Sequence, residues 1–545
     1  MIEACTDTTE TYDYVIIGGG SAGCVIARRL TDSQKCSVCL LEAGPEDGLS
    51  FTPRALMRSA RLQVPGLFSK VYMDPSVAWL FSTEANSGPN GRIHVWSRGK
   101  VLGGSSSING MAYVVGQRED YDSWADAGCA GWAWTNLRQY FDRSRSMILP
   151  EIDVDPLKNA RGPLYRAVIS ALCNNGVRFT TDINGPTESI IGPVPLTVNG
   201  GRRWSTSKAY LKAVRRNPNL TVHVNTIVKD IILRGGVAVG VNVKAPSGER
   251  HILANREVIL CAGAIHSPKI LELSGVGHPS RLSALGIPTV SNCPGVGENM
   301  QDHYSIPQSF RLTHGGVNAR AHFPMLGLEA LRYLVSGSGI LSMGPANLYS
   351  FVKISAYAGD RPDLQILISP GTVDTAKSHP AGSFVLERKP GITMSGSVLR
   401  PKSLGTTHIS SPDFEAPPKI SPNYLSCSHD VGIMLAGMRY IRQVANNAPL
   451  KSLIVEEVLP GERSQSDSEL INYAAEAGST VFHACGTCAM GNSQKSVVDL
   501  DLRVRGVDRL RVVDASVIPI IPSANIHAAV IAVAEKAADL ILSRR

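Results

Sequence analysis

Two histidines close to the C-terminus have the side-chain type for proton transfer. His483 stands in FHACGTCAMG, just ahead of a glycine turn, and His527 opens the run HAAVIAVAEKAADLIL near the end of the chain. A neutral imidazole has a reference pKa of about 6.5, so it can take a proton from a hydroxyl near neutral pH. Asn525 precedes His527 closely enough to compete for the second position of such a pair. Cys485 and Cys488 make an H-x-C-x-x-C pattern with His483. Zinc would need a fourth ligand and a closed tetrahedral shell, and no metal site is expected.

Groups of this kind need a frame and something to react with. The run YDYVII at 12–17 is β-branched and apolar, stops at Gly18-Gly19-Gly20-Ser21-Ala22-Gly23, and gives way to CVIARRL at helical spacing. This reads as strand, glycine turn, helix. Gly18 permits the turn and Gly20 lets the backbone approach a pyrophosphate. Ser21 and Ala22 open a helix whose N-terminus faces the phosphates, and Gly23 lets that helix close on the strand. A second apolar strand, CSVCLLEAG, carries Glu42 and Ala43, where an acidic side chain would bind the ribose hydroxyls of an adenosine. Cys36 and Cys39 form a C-x-x-C within that strand and are expected to be packing residues rather than a redox pair. The fingerprint alone admits NAD or FAD.

Residues 98–113 read RGKVLGGSSSINGMAY. After Val101, Gly103 and Gly104 remove side chains and three serines supply hydroxyls. Asn109 can offer an amide to a ring or phosphate, and Gly110, Met111 and Ala112 continue the stretch. With these residues the chain resembles the glucose-methanol-choline (GMC) oxidoreductase family. GAIHSPKILELSGVG at 263–277 is similar to the family's second signature, and PGVGENMQDH at 294–303 to the segment by which the chain leaves the FAD domain. RWSTSKAYL at 203–211 and THISSPDFEAPPKISPNYL at 407–425 resemble further family stretches. The resemblance runs from about residue 12 to 543, in a pattern most like bacterial choline dehydrogenases, alcohol dehydrogenases and hydroxymethylfurfural oxidases.

The resemblance implies an α/β chain, α+β overall. A Rossmann-like FAD-binding domain (1–150, 215–310 and 480–545) is interleaved with an antiparallel-sheet substrate-binding domain (151–214 and 311–479). It implies oxidation of a primary alcohol, with His483 taking the hydroxyl proton and hydride passing from the carbinol carbon to flavin N5. His527 would orient the oxygen and stabilise alkoxide charge. Asp514 and Ala515 are expected near the pyrophosphate and ring, although Asp514 also reads as a helix cap. Val228, in NTIVKDIIL, is expected to meet the adenine through its backbone, and Val101, Gly103, Asn109, Gly110, Met111, Ala112 and Asn525 to lie beside the cofactor.

FAD is expected to be bound non-covalently, because members that link it through histidine carry that residue in the serine-rich loop, where this chain has Ile108. Light-driven decarboxylases of this fold carry a cysteine before an Arg-Pro pair and lack the catalytic histidine. Here Leu399 precedes Arg400 and Pro401, and His483 is present. A non-redox hydroxynitrile lyase is the standing alternative, and a non-catalytic flavin-binding protein would have to explain both histidines. The acceptor is expected to be O2 or a quinone-type molecule. Residues lining the substrate cavity are expected mainly from 311–480, with Phe323, Met325, Leu326, Leu331 and Leu334 shaping its entrance.

Composition bounds the rest. With 43% hydrophobic and 18% charged residues, the 545-residue chain is an ordered globular protein rather than a disordered or fibrous one. The net charge of +8 comes from scattered Lys and Arg, with Arg-Arg pairs only at 28, 202, 215 and 544 and no nucleic-acid reader motif. Eleven cysteines, an odd number, fit reduced thiols. No apolar run is long enough to span a bilayer and the N-terminus does not read as a signal peptide, so a cytoplasmic location is expected.

Overall fold

The computed structural model describes residues 10–48, 53–85, 89–149, 160–185, 187–355, 359–375, 377–378 and 384–543. The expected change of domain at 150/151 and the Arg-Arg pair at 544 fall outside these residues.

The β-branched run forms the strand Glu10–Ile17, whose last residues are fully buried. Gly18 turns at φ +100°, and Gly20, in extended conformation, caps the helix Ser21–Asp32. A Cβ on Gly23 would stand 1.9 Å from the Gly18 carbonyl oxygen. Only glycine lets this helix settle so closely on its strand. Val25, Ile26 and Leu30 then bury against the sheet.

Six strands of that sheet run in the order Ile227–Arg234, Val237–Ala245, Gly248–Leu260, Glu10–Ile17, Val38–Leu41, Leu220–His223. Gly248–Leu260 is long enough to serve two partners on one edge. Its first half pairs antiparallel with Val237–Ala245 and its last residues pair parallel with Leu510–Val512. The C-terminal part of the chain thus completes the sheet begun at the N-terminus. The closing helix His527–Leu542 packs on Ser21–Asp32, where Arg29 is paired with Glu535 and Asp539.

A second sheet has the order Ile454–Leu459, Tyr304–Leu312, Gly391–Val398, Leu364–Ser369, Leu348–Val352, Ile190–Pro193, Arg178–Phe179, with Ser479–Thr480 joined to Tyr304–Leu312. Its pairings are antiparallel except that between the last two strands. Tyr304–Leu312 crosses the expected change of domain at 310, yet the whole strand belongs to this second sheet. The helix Ser428–Ala445 covers the sheet with Met434, Leu435, Met438, Ile441 and Val444 buried, as its 3.6-residue spacing predicts.

Candidate active site

The two glycine motifs meet backbone to backbone. Gly103 N–H donates to the Gly19 carbonyl at 2.7 Å, and a Cβ on Gly104 would lie 2.6 Å from Gly20 Cα. A cavity of about 1800 Å³ opens beside this junction, larger than the roughly 300–1,000 Å³ that suits a drug-sized ligand. Gly18, Gly20, Ser21, Ala22, Glu42, Ala43 and Val228 line one part of it. Asn109, Gly110, Met111, Ala112, Asp514, Ala515, Asn525, His483 and His527 line another.

Two expected contacts are placed elsewhere. Val101 is fully buried in a small apolar cluster with Leu62, Val71, Val77, Ala78 and Ile108, and Gly103 stands behind the wall, capping the turn Gly104–Ser107. Neither lines the cavity. A Cβ on Gly103 would stand 2.4 Å from Ser107 Oγ and 3.3 Å from the Cβ atoms of Ser205 and Ser207, so its bareness serves packing within the protein.

Glu42 accepts the amides of Gly19 (2.9 Å) and Gly44 (2.8 Å), and burial pushes its carboxyl up to about 7. Each oxygen keeps a lone pair for a further donor. Asp514 acts as a cap. One oxygen accepts from Gly263 N and Ser267 Oγ at the start of the helix Gly263–Leu273, and the other accepts from Ser516 N and Oγ. Burial raises its carboxyl as well.

At the far side the second sheet delivers a residue that the histidine pair alone does not announce. His303, just before Tyr304–Leu312, has its Nδ1 3.0 Å from Nδ1 of His483, while its Nε2 is 3.0 Å from the Leu399 carbonyl oxygen. A carbonyl only accepts, so His303 Nε2 carries the proton and its Nδ1 is bare. His483 Nδ1 must therefore donate, which leaves His483 Nε2 as the acceptor. There the Asn525 amide Nδ2 donates at 3.1 Å. The chain runs one way, from Asn525 through His483 and His303 to Leu399.

Burial holds this chain neutral. The His483 imidazole is pushed well below its usual range by burial, then by His303 and the Arg98 guanidinium. Burial takes His303 down to about 4, and burial followed by Arg203 takes His527 to about 4. The His483 backbone is fixed by its own N–H donating to Asp302 Oδ1 at 2.7 Å. Asp302 also accepts from Thr480 Oγ1 at 2.5 Å and from the Tyr424 hydroxyl. Among the described residues, His527, first residue of the closing helix, finds no partner for either ring nitrogen although both are buried, and Asn525 Oδ1 is likewise unpartnered.

Next to His483 lies an aromatic wall. Phe482 is 5.8 Å from Tyr72, which stacks on Phe384 at 5.9 Å and on Phe68 at 6.3 Å, centroid to centroid. All four line the cavity. Phe68, Tyr72 and Phe482 come from outside the stretch 311–480 that the sequence suggested, and so does Arg98, whose Nη1 donates to the Phe482 carbonyl at 2.9 Å. Cys485 and Cys488 are fully buried, and burial pushes their thiols far up. Such thiols pack as small apolar groups.

The GMC oxidoreductase model matches the chain twice, its N-terminal part over residues 12–305 and its C-terminal part over 401–534. Mitochondrial choline dehydrogenase of Mus musculus is 36% identical over 98% of this chain and 89% of its own length. Among solved structures, pyridoxine 4-oxidase from Mesorbium loti superposes with a TM-score of 0.81 at 27% identity, covering 98% of this chain and 99% of that one. Formate oxidase of Aspergillus oryzae RIB40, in a structure concerned with FAD modification, gives 0.85 at 26%, with coverage of 98% and 99%. Nothing among them supports the lyase alternative. Similarity of this extent, over nearly the whole length of each relative, places the protein in the GMC oxidoreductase family as an FAD-dependent alcohol oxidoreductase.

Proposed function

We propose that the protein oxidises a neutral aromatic primary alcohol to its aldehyde, with His483 as the proton acceptor. The observation that carries this reading is the one-way hydrogen-bond chain, which leaves the lone pair of His483 Nε2 as acceptor in a cavity it shares with an unpartnered His527. A substrate hydroxyl beside Asn525 would take over the lone pair that the amide now occupies. His483 would receive its proton, and His527 would hold the oxygen as negative charge develops.

FAD fits the residues that remain. The glycine turn and the N-terminus of Ser21–Asp32 would hold the diphosphate, with Glu42 on the ribose and the Val228 backbone toward the adenine. Residues 109–112, with Ala515, would face the flavin. The unpartnered nitrogens of His527 and the free Asn525 oxygen point to a polar group that completes the site. When bound, FAD supplies the acceptor for the carbinol hydride. Ile108, buried in the serine-rich loop, offers no nucleophile for a covalent link, so the flavin should be released by denaturation.

The aromatic wall and the charge beside it support the substrate class. Phe68, Tyr72, Phe384 and Phe482 offer ring faces to a planar substrate. A quaternary ammonium such as choline would also want a carboxylate near those rings. The charged group bonded to Phe482 is instead the Arg98 guanidinium.

Anaerobic mixing of the holoenzyme with aryl, furanic, aliphatic and quaternary-ammonium primary alcohols tests this. The aryl alcohols should bleach the flavin band fastest. Recolouring by air with peroxide would assign O2 as the acceptor, and recolouring only by a quinone or dye would assign a dehydrogenase. Bleaching by choline alone would overturn the substrate class, and bleaching by no alcohol would overturn the reaction.

A further inference from the structure

The helix Met325–Ser336 is built inside out. Its one buried residue is Glu329, 6% exposed, whose carboxylate is bonded to Arg320 Nε at 2.9 Å and accepts the Ile340 amide at 3.0 Å. Tyr333, on the same side, donates to the Gly201 carbonyl at 3.0 Å. The opposite face carries Leu328 (59% exposed), Leu331 (59%), Leu334 (80%) and Val335 (79%), and Phe323 just before the helix is 84% exposed. At about 100° per residue, positions 328, 331 and 335 share one stripe with 334 at its edge. A helix facing water turns such a stripe inward, and an exposed patch of this kind marks an interaction site.

We infer that this face seats the enzyme on an anionic lipid bilayer. The charges around it favour that occupant. The helix's single acidic side chain is drawn inward, whereas Arg332 on the helix and Arg202, beside the Gly201 that Tyr333 holds, are exposed. Basic side chains flanking a leucine-rich face match phosphate headgroups around hydrocarbon. Twelve residues make a helix about 18 Å long, which lies in the plane of the interface and does not cross it. Among the described residues no helix is long and apolar enough to cross a membrane.

The face also continues into the cavity. Leu326 on the helix and Ile340 and Leu341 just after it line the cavity that holds His483 and His527. An apolar molecule dissolved in the bilayer would reach that cavity along protein surface without crossing bulk water. Leu56 and Met57 are a second exposed apolar pair, 54% and 59%. They stand on the helix Pro53–Gln63, whose Leu62 carbonyl accepts from Arg203 beside Arg202.

The test is flotation of the holoenzyme with vesicles of phosphatidylcholine containing roughly a quarter phosphatidylglycerol, and with phosphatidylcholine alone, at low and high salt. The wild type should float with the anionic vesicles and lose that association as salt rises. L331E/L334E, at two positions that point to solvent and do not line the cavity whose entrance the sequence assigned them, should lower the bound fraction by about tenfold or more while melting temperature and flavin reduction by a water-soluble alcohol stay unchanged. L331S/L334S provides the same readout without new charge. R202E/R332E should weaken binding to anionic vesicles chiefly at low salt. Absence of the wild type from the floated fraction at low salt would overturn the inference, as would equal flotation of wild type and L331E/L334E. A lipid-indifferent dimer that L331E/L334E converts to a monomer would assign the face to a second copy of the chain instead.

Discussion

Nδ1 of His303 faces Nδ1 of His483 at 3.0 Å, and because His303 is committed through Nε2 to the Leu399 carbonyl, the pair admits a single arrangement of protons. With His483 as the proposed proton acceptor, His303 would act through it as a positioning residue. It fixes which nitrogen of His483 is bare.

Replacing His303 by leucine should release His483 to its other tautomer and slow flavin reduction by roughly tenfold or more with little change in KM. His303→Gln keeps an oxygen able to accept from His483 Nδ1 and should recover much of the loss. Stopped-flow reduction of the two variants decides it. Equal impairment would mean that His303 matters only for packing.

His483→Ala should keep FAD yet reduce it at least about a hundredfold more slowly. The wild-type pH profile carries the same information. As proton acceptor His483 would work unprotonated, and burial, His303 and Arg98 push its pKa well down, so activity should be lost only as pH falls through that low value. Reduction rates should be level from about pH 8 to about 6, with no inflection near the ordinary 6.5. An inflection there that disappears in His483→Ala would contradict the burial argument.

His527→Asn should be milder than His527→Ala, since an amide can still donate to the substrate oxygen. The same variant changes acid stability. The unfolded imidazole protonates near about 6.5, while the native one stays neutral to about 4. Its contribution to stability is therefore complete above the first value and lost as pH falls toward the second. His527→Asn should remove about 3 kcal/mol of acid sensitivity across that window, measured by urea unfolding of the holoenzyme at each pH.

Gly104→Ala places a Cβ 2.6 Å from Gly20 Cα at a φ of +54°. Backbone cannot yield as a side-chain tip can. A loss of about 3 kcal/mol or more is expected, with weaker FAD retention, read by thermal melting and by flavin content after gel filtration. A variant that melts like the wild type and stays yellow would show that the two glycine motifs do not need to touch.

The cavity lining at the glycine turn was legible because its signals are local. Gly18–Gly23, Glu42 and the Gly103–Ala112 stretch each depend on spacing within one strand-turn unit. The His303–His483 contact joins residues 180 apart in sequence, so PGVGENMQDH displayed His303 without showing what it meets. Asn525 and His527 were both visible beside the closing helix. Which of them bonds the base depends on the direction each takes at the loop–helix junction, and spacing does not encode that. Val101 and Gly103 sit in the right motif but turn to the protein behind it. The aromatic wall draws on three separated segments, so no single stretch announced it.

The pairing of the first helix with the last has a consequence for synthesis. Arg29 and its partner Glu535 are separated by 506 residues, and the strand Leu510–Val512 joins a sheet whose first member left the ribosome long before. At about 5–20 residues per second, the N-terminal helix waits roughly 25–100 s for the helix that covers it. During that interval Arg29 is without the two carboxylates that hold it, and the edge of Gly248–Leu260 that receives Leu510–Val512 is open.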